Sequence, residues 1–192
     1  MQRRLILSSM IVFFGLMVVL AGCGSHSDVK PPPPPVRSEH PDWFSEIPSD
    51  PNYFYAHATG DSRNYQFALD TAKQQGTMDI AGQVKTKVSG MFERFREEVG
   101  MGEDAELRAF ASGVSKSVVS EVVSGCSAVK QEVQTIDGGK HRAFVRMQMP
   151  VKTMKTAVMS EIKENDEMYT RFRASEGFKE LESEVSGDGE PK

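Results

Sequence analysis

Cys23 is the residue whose setting most clearly specifies chemistry. It closes the block Leu20-Ala21-Gly22-Cys23, which follows a charge-free run from Leu5 to Leu20 and the positive start Met1-Gln2-Arg3-Arg4. Those are the parts of an export signal in order: a basic segment, an apolar segment and a small-residue cleavage site. The spacing predicts a lipobox. The small residues admit the peptidase to the backbone, the Cys23 thiol takes diacylglycerol as a thioether, and cleavage before Cys23 frees an amine for an N-acyl chain. An ordinary signal peptide with a chance cysteine and an uncleaved membrane anchor are the competing readings; a span needs roughly 20 apolar residues. Each buried methylene contributes about 0.8 kcal/mol to attachment, so several chains hold where one is marginal. Gly24, in place of the aspartate that retains enteric-type lipoproteins in the inner membrane, points to the outer membrane, with the body on its periplasmic face or at the cell surface.

Other reactive residues lack partners in the sequence. Gly60-Asp61-Ser62 has the form of the nucleophile block of some lipases and esterases. Their base is a histidine three residues after an aspartate near the C-terminus. Here the last histidine is His141, with Gly138 three residues before it, so Ser62 has no placed base and a helix cap is the expected role. His26, His40, His57 and His141 are scattered, without zinc-site spacing. Gly100-Met101-Gly102 lies between helical patterns and lacks a third glycine, which excludes a dinucleotide or phosphate loop. Glu97-Glu98 and Glu103-Asp104 read as solvated helix ends. No catalytic residue, metal ligand or cofactor is expected beyond the acyl chains on Cys23.

Cleavage before Cys23 leaves 170 of 192 residues and removes Arg3 and Arg4, taking the net charge from −4 to −6. That length supports one domain with a hydrophobic core. A mildly acidic chain of mixed charge carries no footprint for nucleic acid. With Cys23 acylated, Cys126 is unpaired. The expectation is a small, half-buried residue at the start of a strand, with interchain pairing or reactivity as the alternative.

Behind the anchor, residues 23–40 read as the lipidated N-terminus and a linker. The run Pro31 to Pro35 favours polyproline II, and at about 3.1 Å per residue the whole linker would be a spacer of roughly 50 Å. A domain is expected over 41–175 and a flexible tail over 176–192, although helical spacing resumes weakly at Met168, Tyr169 and Phe172 and again at Phe178 and Leu181. Tyr53 to Gly60 alternates as a strand, with Phe54, Ala56 and Ala58 on one face and Tyr53, Tyr55 and His57 on the other. Asp61 or Ser62 is placed to cap the helix that follows. Phe67, Thr71, Met78, Ala81, Val84, Val88, Phe92, Phe95 and Val99 recur at helical spacing; Gly76, Gly82 and Gly90 predict a kink. Leu107, Phe110, Ala111, Val114, Val118 and Val122 mark a second helix. Ser127 to Ile136 and Lys140 to Met149 form a hairpin about Asp137-Gly138-Gly139. Its return strand points Ala143, Val145, Met147 and Met149 inward and Arg142, Arg146 and Gln148 outward. Pro150 opens a last helix bearing Val151, Met154, Val158 and Ile162. The order β-α-α-β-β-α predicts an α+β domain, a small antiparallel sheet of about three strands with helices on one face.

Pro41-Asp42-Trp43-Phe44 ahead of the aromatic strand Tyr53-Phe54-Tyr55-Ala56-His57-Ala58-Thr59-Gly60, the pair Ala68 and Ala72 one helical turn apart, and the late hairpin ending in Met149-Pro150 together resemble the LPP-twenty lipoprotein family. Its domain is similar to the N-terminal domain of the flagellar assembly protein FlgT. The likeness spans roughly Trp43 to Val158. Ala58 stands where the family commonly has glycine, and the helix is poorer in alanine. The resemblance implies a membrane-associated, non-enzymatic lipoprotein, in some members linked to flagellar or envelope structures, and supplies no catalytic residues. The expected function is therefore a structural or interaction module of the cell envelope. Its partners are the bilayer through the acyl chains, and envelope proteins or further copies of itself. Trp43, Phe44, Tyr53, Tyr55 and the C-terminal helix are the candidate contacts. The alternative is a periplasmic carrier of a small or lipidic ligand in a pocket lined by Met147, Met149 and Met154.

Overall fold

A computed structural model describes residues 40–100 and 104–186. Cys23, the lipobox and the proline-rich linker lie outside the described residues. A short 3-10 turn, Asp42–Phe44, leads to strand β1 (Tyr53–Ser62), helix α1 (Tyr65–Glu98), helix α2 (Ala105–Gly125), strand β2 (Ser127–Ile136), strand β3 (Lys140–Pro150) and helices α3 (Val151–Glu164), α4 (Asp166–Phe172) and α5 (Glu176–Ser186). The fold is the expected α+β arrangement. Its sheet is antiparallel, in the order β1-β3-β2. The β2–β3 turn is Asp137-Gly138-Gly139, with φ of +76° at Gly138 and +68° at Gly139, values at which a Cβ would clash with the backbone.

Helix α1 runs for 34 residues, roughly 50 Å at the usual rise, and helix continues through Gly76, Gly82 and Gly90. Its sheet-facing stripe is also rotated from the expected one. Ala68, Leu69, Ala72, Gly76 and Ile80 are buried, whereas Phe67 and Met78 are 65% and 61% exposed. The cause is close approach. A Cβ at Gly60 of β1 would stand 2.4 Å from the Ala68 carbonyl oxygen and 2.7 Å from the Ala72 amide nitrogen. Small residues at Gly60, Ala68 and Ala72 allow that contact, and Phe67 and Met78 turn outward. Asn64 caps the helix, its side chain accepting from the Phe67 amide at 3.0 Å. Asp61 and Ser62, the expected caps, are engaged elsewhere.

The far half of α1 leaves the sheet and enters a helical core. Phe92 meets Phe95, Phe110 and Phe172 with ring centroids 5.8–5.9 Å apart. Helix α5 closes this core, with Phe178 and Leu181 buried at 1% and 2% exposure and the Gly177 amide donating to Glu98 Oε2 at 2.9 Å. Residues 176–186 are thus a packed helix, not part of a flexible tail: two large apolar side chains one turn apart find a groove between α1 and α3. The last helix of the expected order is three helices. Met147, Met149 and Met154 are buried in the core, and Met147 lies against Gly76.

Candidate interaction surfaces of the sheet

Strand alternation sends one set of side chains away from the helices. From β1 these are Tyr53, Tyr55, His57, Thr59 and Asp61; paired with them on β3 are Gln148, Arg146, Phe144 and Arg142. These rows differ in what covers them. Asp61 and Arg142 form a two-pronged ion pair, Nε to Oδ1 at 2.8 Å and Nη2 to Oδ2 at 2.7 Å, and this bond holds the Asp61 carboxyl below its ordinary pKa.

Arg146 was expected outward and is instead 8% exposed. The chain before β1 folds back over it. Arg146 Nη2 donates to the Trp43 carbonyl at 2.5 Å and to the Glu46 carbonyl at 2.6 Å. Its Nε donates to His57 Nε2 at 2.6 Å, and the guanidinium lies 5.5 Å from the Trp43 ring centre. His57 in turn donates from Nδ1 to the Phe44 carbonyl at 2.7 Å. That tautomer is required, because Nε2 must be the acceptor facing Arg146. Burial first, and then the Arg146 charge, push the His57 pKa down, while its bond to Phe44 opposes them. The Phe44 ring stacks on His57 at 5.0 Å and meets Phe144 edge-on at 5.0 Å, burying Phe144 on the face away from the helices.

The candidate contacts therefore divide. Trp43 and Phe44 are half-buried parts of a clamp that fastens the chain entry to the sheet. Tyr53, 36% exposed, and Tyr55 beside it at 6.0 Å remain on the same face beyond the clamp. Nothing in the residue order marks Arg146 as the centre of this cluster: alternation tells which face a residue takes, not what returns to cover it.

The other open surface is β2. Its residues from Ser127 to Glu132 are all exposed, it forms one border of the sheet, and the register slips at Val129, which is bulged and 43% exposed. Where α2 meets this strand, Cys126 is half-buried, as expected. Burial raises its thiol pKa, opposed by a bond with Thr77.

Ser62 and His141 stand opposite one another on the β1–β3 ladder, a proximity the sequence did not reveal. Their hydrogen bonds go elsewhere. Ser62 Oγ accepts from the Asn64 amide at 3.0 Å, and His141 Nδ1 meets the Thr135 hydroxyl at 3.4 Å. Among the described residues no group of three His, Cys, Asp or Glu side chains is placed to hold a metal ion, and no helix is long and apolar enough to cross a membrane. Between α1 and α2 lies a cleft of about 430 Å³, lined by Phe92 and Leu107 and by the charged residues Lys85, Glu93, Arg96, Arg108 and Lys116. No family model, curated protein or solved structure matches the chain.

Proposed function

We propose that this chain is a non-catalytic bacterial lipoprotein, anchored in the outer membrane by diacylglycerol and an N-acyl chain on Cys23, that acts as a structural or protein-interaction module of the cell envelope. Its resemblance to the LPP-twenty family extends the proposal to flagellar or outer-membrane assembly. The observation that carries the interaction role is β2, a ten-residue strand at the sheet border whose first six residues are exposed. Unpaired strand backbone is a template for another strand, and native chains usually cover or shorten it. At the opposite border, on β1, Tyr53 and Tyr55 offer amphipathic rings suited to protein contacts. The non-catalytic part is supported by Ser62 and His141, each bonded away from the other.

Lipid labelling and membrane fractionation test the anchor. The native chain should incorporate acyl label and partition with outer membranes, while Cys23→Ala should lose the label and accumulate unprocessed or mislocalised. A native chain free in solution with an unmodified thiol overturns the proposal.

A second reading, a carrier, is favoured by the α1–α2 cleft. Its apolar floor of Phe92 and Leu107, with Lys85 and Lys116 among the charged residues around it, suits an amphiphile with an acidic head such as a fatty acid or phospholipid. Native mass spectrometry of protein extracted from membranes separates the readings: a retained small molecule supports the carrier, and repeated protein stoichiometries support the interaction module.

A further inference from the structure

We propose that two copies of this chain pair through β2, antiparallel and centred on Gln131, joining their sheets into one of six strands. The inference rests on the interaction-module reading and names the partner and the register.

Geometry restricts the choices. Two identical antiparallel strands joined edge to edge are related by a two-fold axis normal to the sheet, so some residue must face itself. Centring on Lys130 places lysine against lysine, and centring on Glu132 places glutamate against glutamate. Centring on Val133 sets Lys130 opposite Ile136 and Glu132 opposite Gln134, with no ion pair. Centring on Gln131 sets Lys130 of each copy opposite Glu132 of the other, twice. Like charges directly opposite one another destabilise a strand pair and unlike charges stabilise it. Lys130 and Glu132 also share one face of the strand, the face that carries Arg146 and Phe144 in the next strand. Both are exposed, with Glu132 accepting only an in-strand bond from Gln134 at 3.0 Å. Charged residues and a bulge on an edge strand normally discourage pairing. Here like charges discourage centring on Lys130 or Glu132 and only centring on Gln131 pairs unlike charges, while the Val129 bulge confines the ladder to the rows from Lys130 onward.

The same axis satisfies the anchor. A rotation normal to the sheet keeps both helical layers on one side and both entry turns, Asp42–Phe44, on the other. Two chains fastened to a single bilayer can therefore pair without either tether crossing the sheet. Confinement to that bilayer raises effective concentration, so three cross-strand rows are enough to associate weakly binding bodies.

The experiment uses the full-length lipidated chain in intact cells. Gln131→Cys, in a Cys126→Ser background, places two thiols on facing residues whose Cα atoms are roughly 4.5–5.5 Å apart, within disulfide range. It should form a disulfide-linked dimer, and Lys130→Cys in the same background should not, because its mate is Glu132. Lys130→Glu and Glu132→Lys, each alone, turn two attractive rows into repulsive ones and should weaken the dimer about tenfold or more. Expressed together, the two variants face each other with opposite charges and should recover it as a heterodimer. Circular dichroism of each variant establishes that the fold is intact. Equal crosslinking at 130 and 131, a Lys130→Glu dimer as abundant as the native one, or a mixture that fails to recover overturns the inference. Acyl labelling runs alongside: chains that carry lipid yet stay monomeric defeat the register and leave the anchor standing, whereas unlabelled Cys23 defeats the anchor.

Discussion

Replacing Arg146 with methionine keeps the apolar stem of the side chain and deletes the guanidinium donors of the clamp. Three acceptors then lose their partner: the carbonyls of Trp43 and Glu46 and Nε2 of His57, all now held at 2.5–2.6 Å. Hydrogen bonds to a charged donor each contribute about 1.5–3 kcal/mol, and they do not add, because undocking the turn returns the carbonyls to water. The cost is therefore capped by the free energy of docking, roughly 3 kcal/mol on the scale of broken buried polar networks. Trp43 is the only tryptophan, so its emission reports this contact alone. We expect a red-shifted emission maximum in Arg146→Met and loss of amide-exchange protection at Phe44. If the turn unfolds with the body, Tm falls by about 6–12 °C, at 2–4 °C per kcal/mol for a domain of this size; if it peels off alone, Tm holds while protection at Phe44 is lost. Unchanged emission together with unchanged exchange would refute the clamp.

Three further outcomes follow from the packing. Gly60→Ala should cost about 1–3 kcal/mol by forcing α1 off β1, whereas Gly82→Ala, where a Cβ meets open space, should stabilise α1 by about 0.5–1 kcal/mol; urea denaturation of both variants measures the contrast. His57 is neutral in the fold, with its pKa held below the ordinary 6.5. Its contribution is therefore present above that value and lost as pH falls toward the lowered one, because the unfolded chain takes up the proton first. Thermal melts from pH 7.5 to pH 5 should show a decline that is smaller in His57→Gln; an equal decline in that variant counts against the assignment. Phe178→Ala should destabilise by about 3–5 kcal/mol, as for a buried aromatic, and a Tm unchanged by it would return residues 176–186 to a loose tail.

The residue order alone carried the hairpin, the alternation of β1 and β3 and the faces of α2, because each is a local pattern: a period of two, a period of three to four, or a pair of glycines where φ must be positive. It also identified Cys126 as half-buried at a strand start. Local patterns misplaced the contacts made across distance. Phe67 and Met78 have the period of a core face, yet the sheet's approach at Gly60 selects Ala68, Ala72 and Gly76 instead. Phe178 and Leu181 are too few to mark a helix until α1 and α3 supply a groove. Arg146 is outward by parity and buried in fact, since its cover arrives from a turn about one hundred residues upstream. Period follows from the chain's own geometry, but burial depends on what returns to each face, and only the assembled tertiary structure decides that.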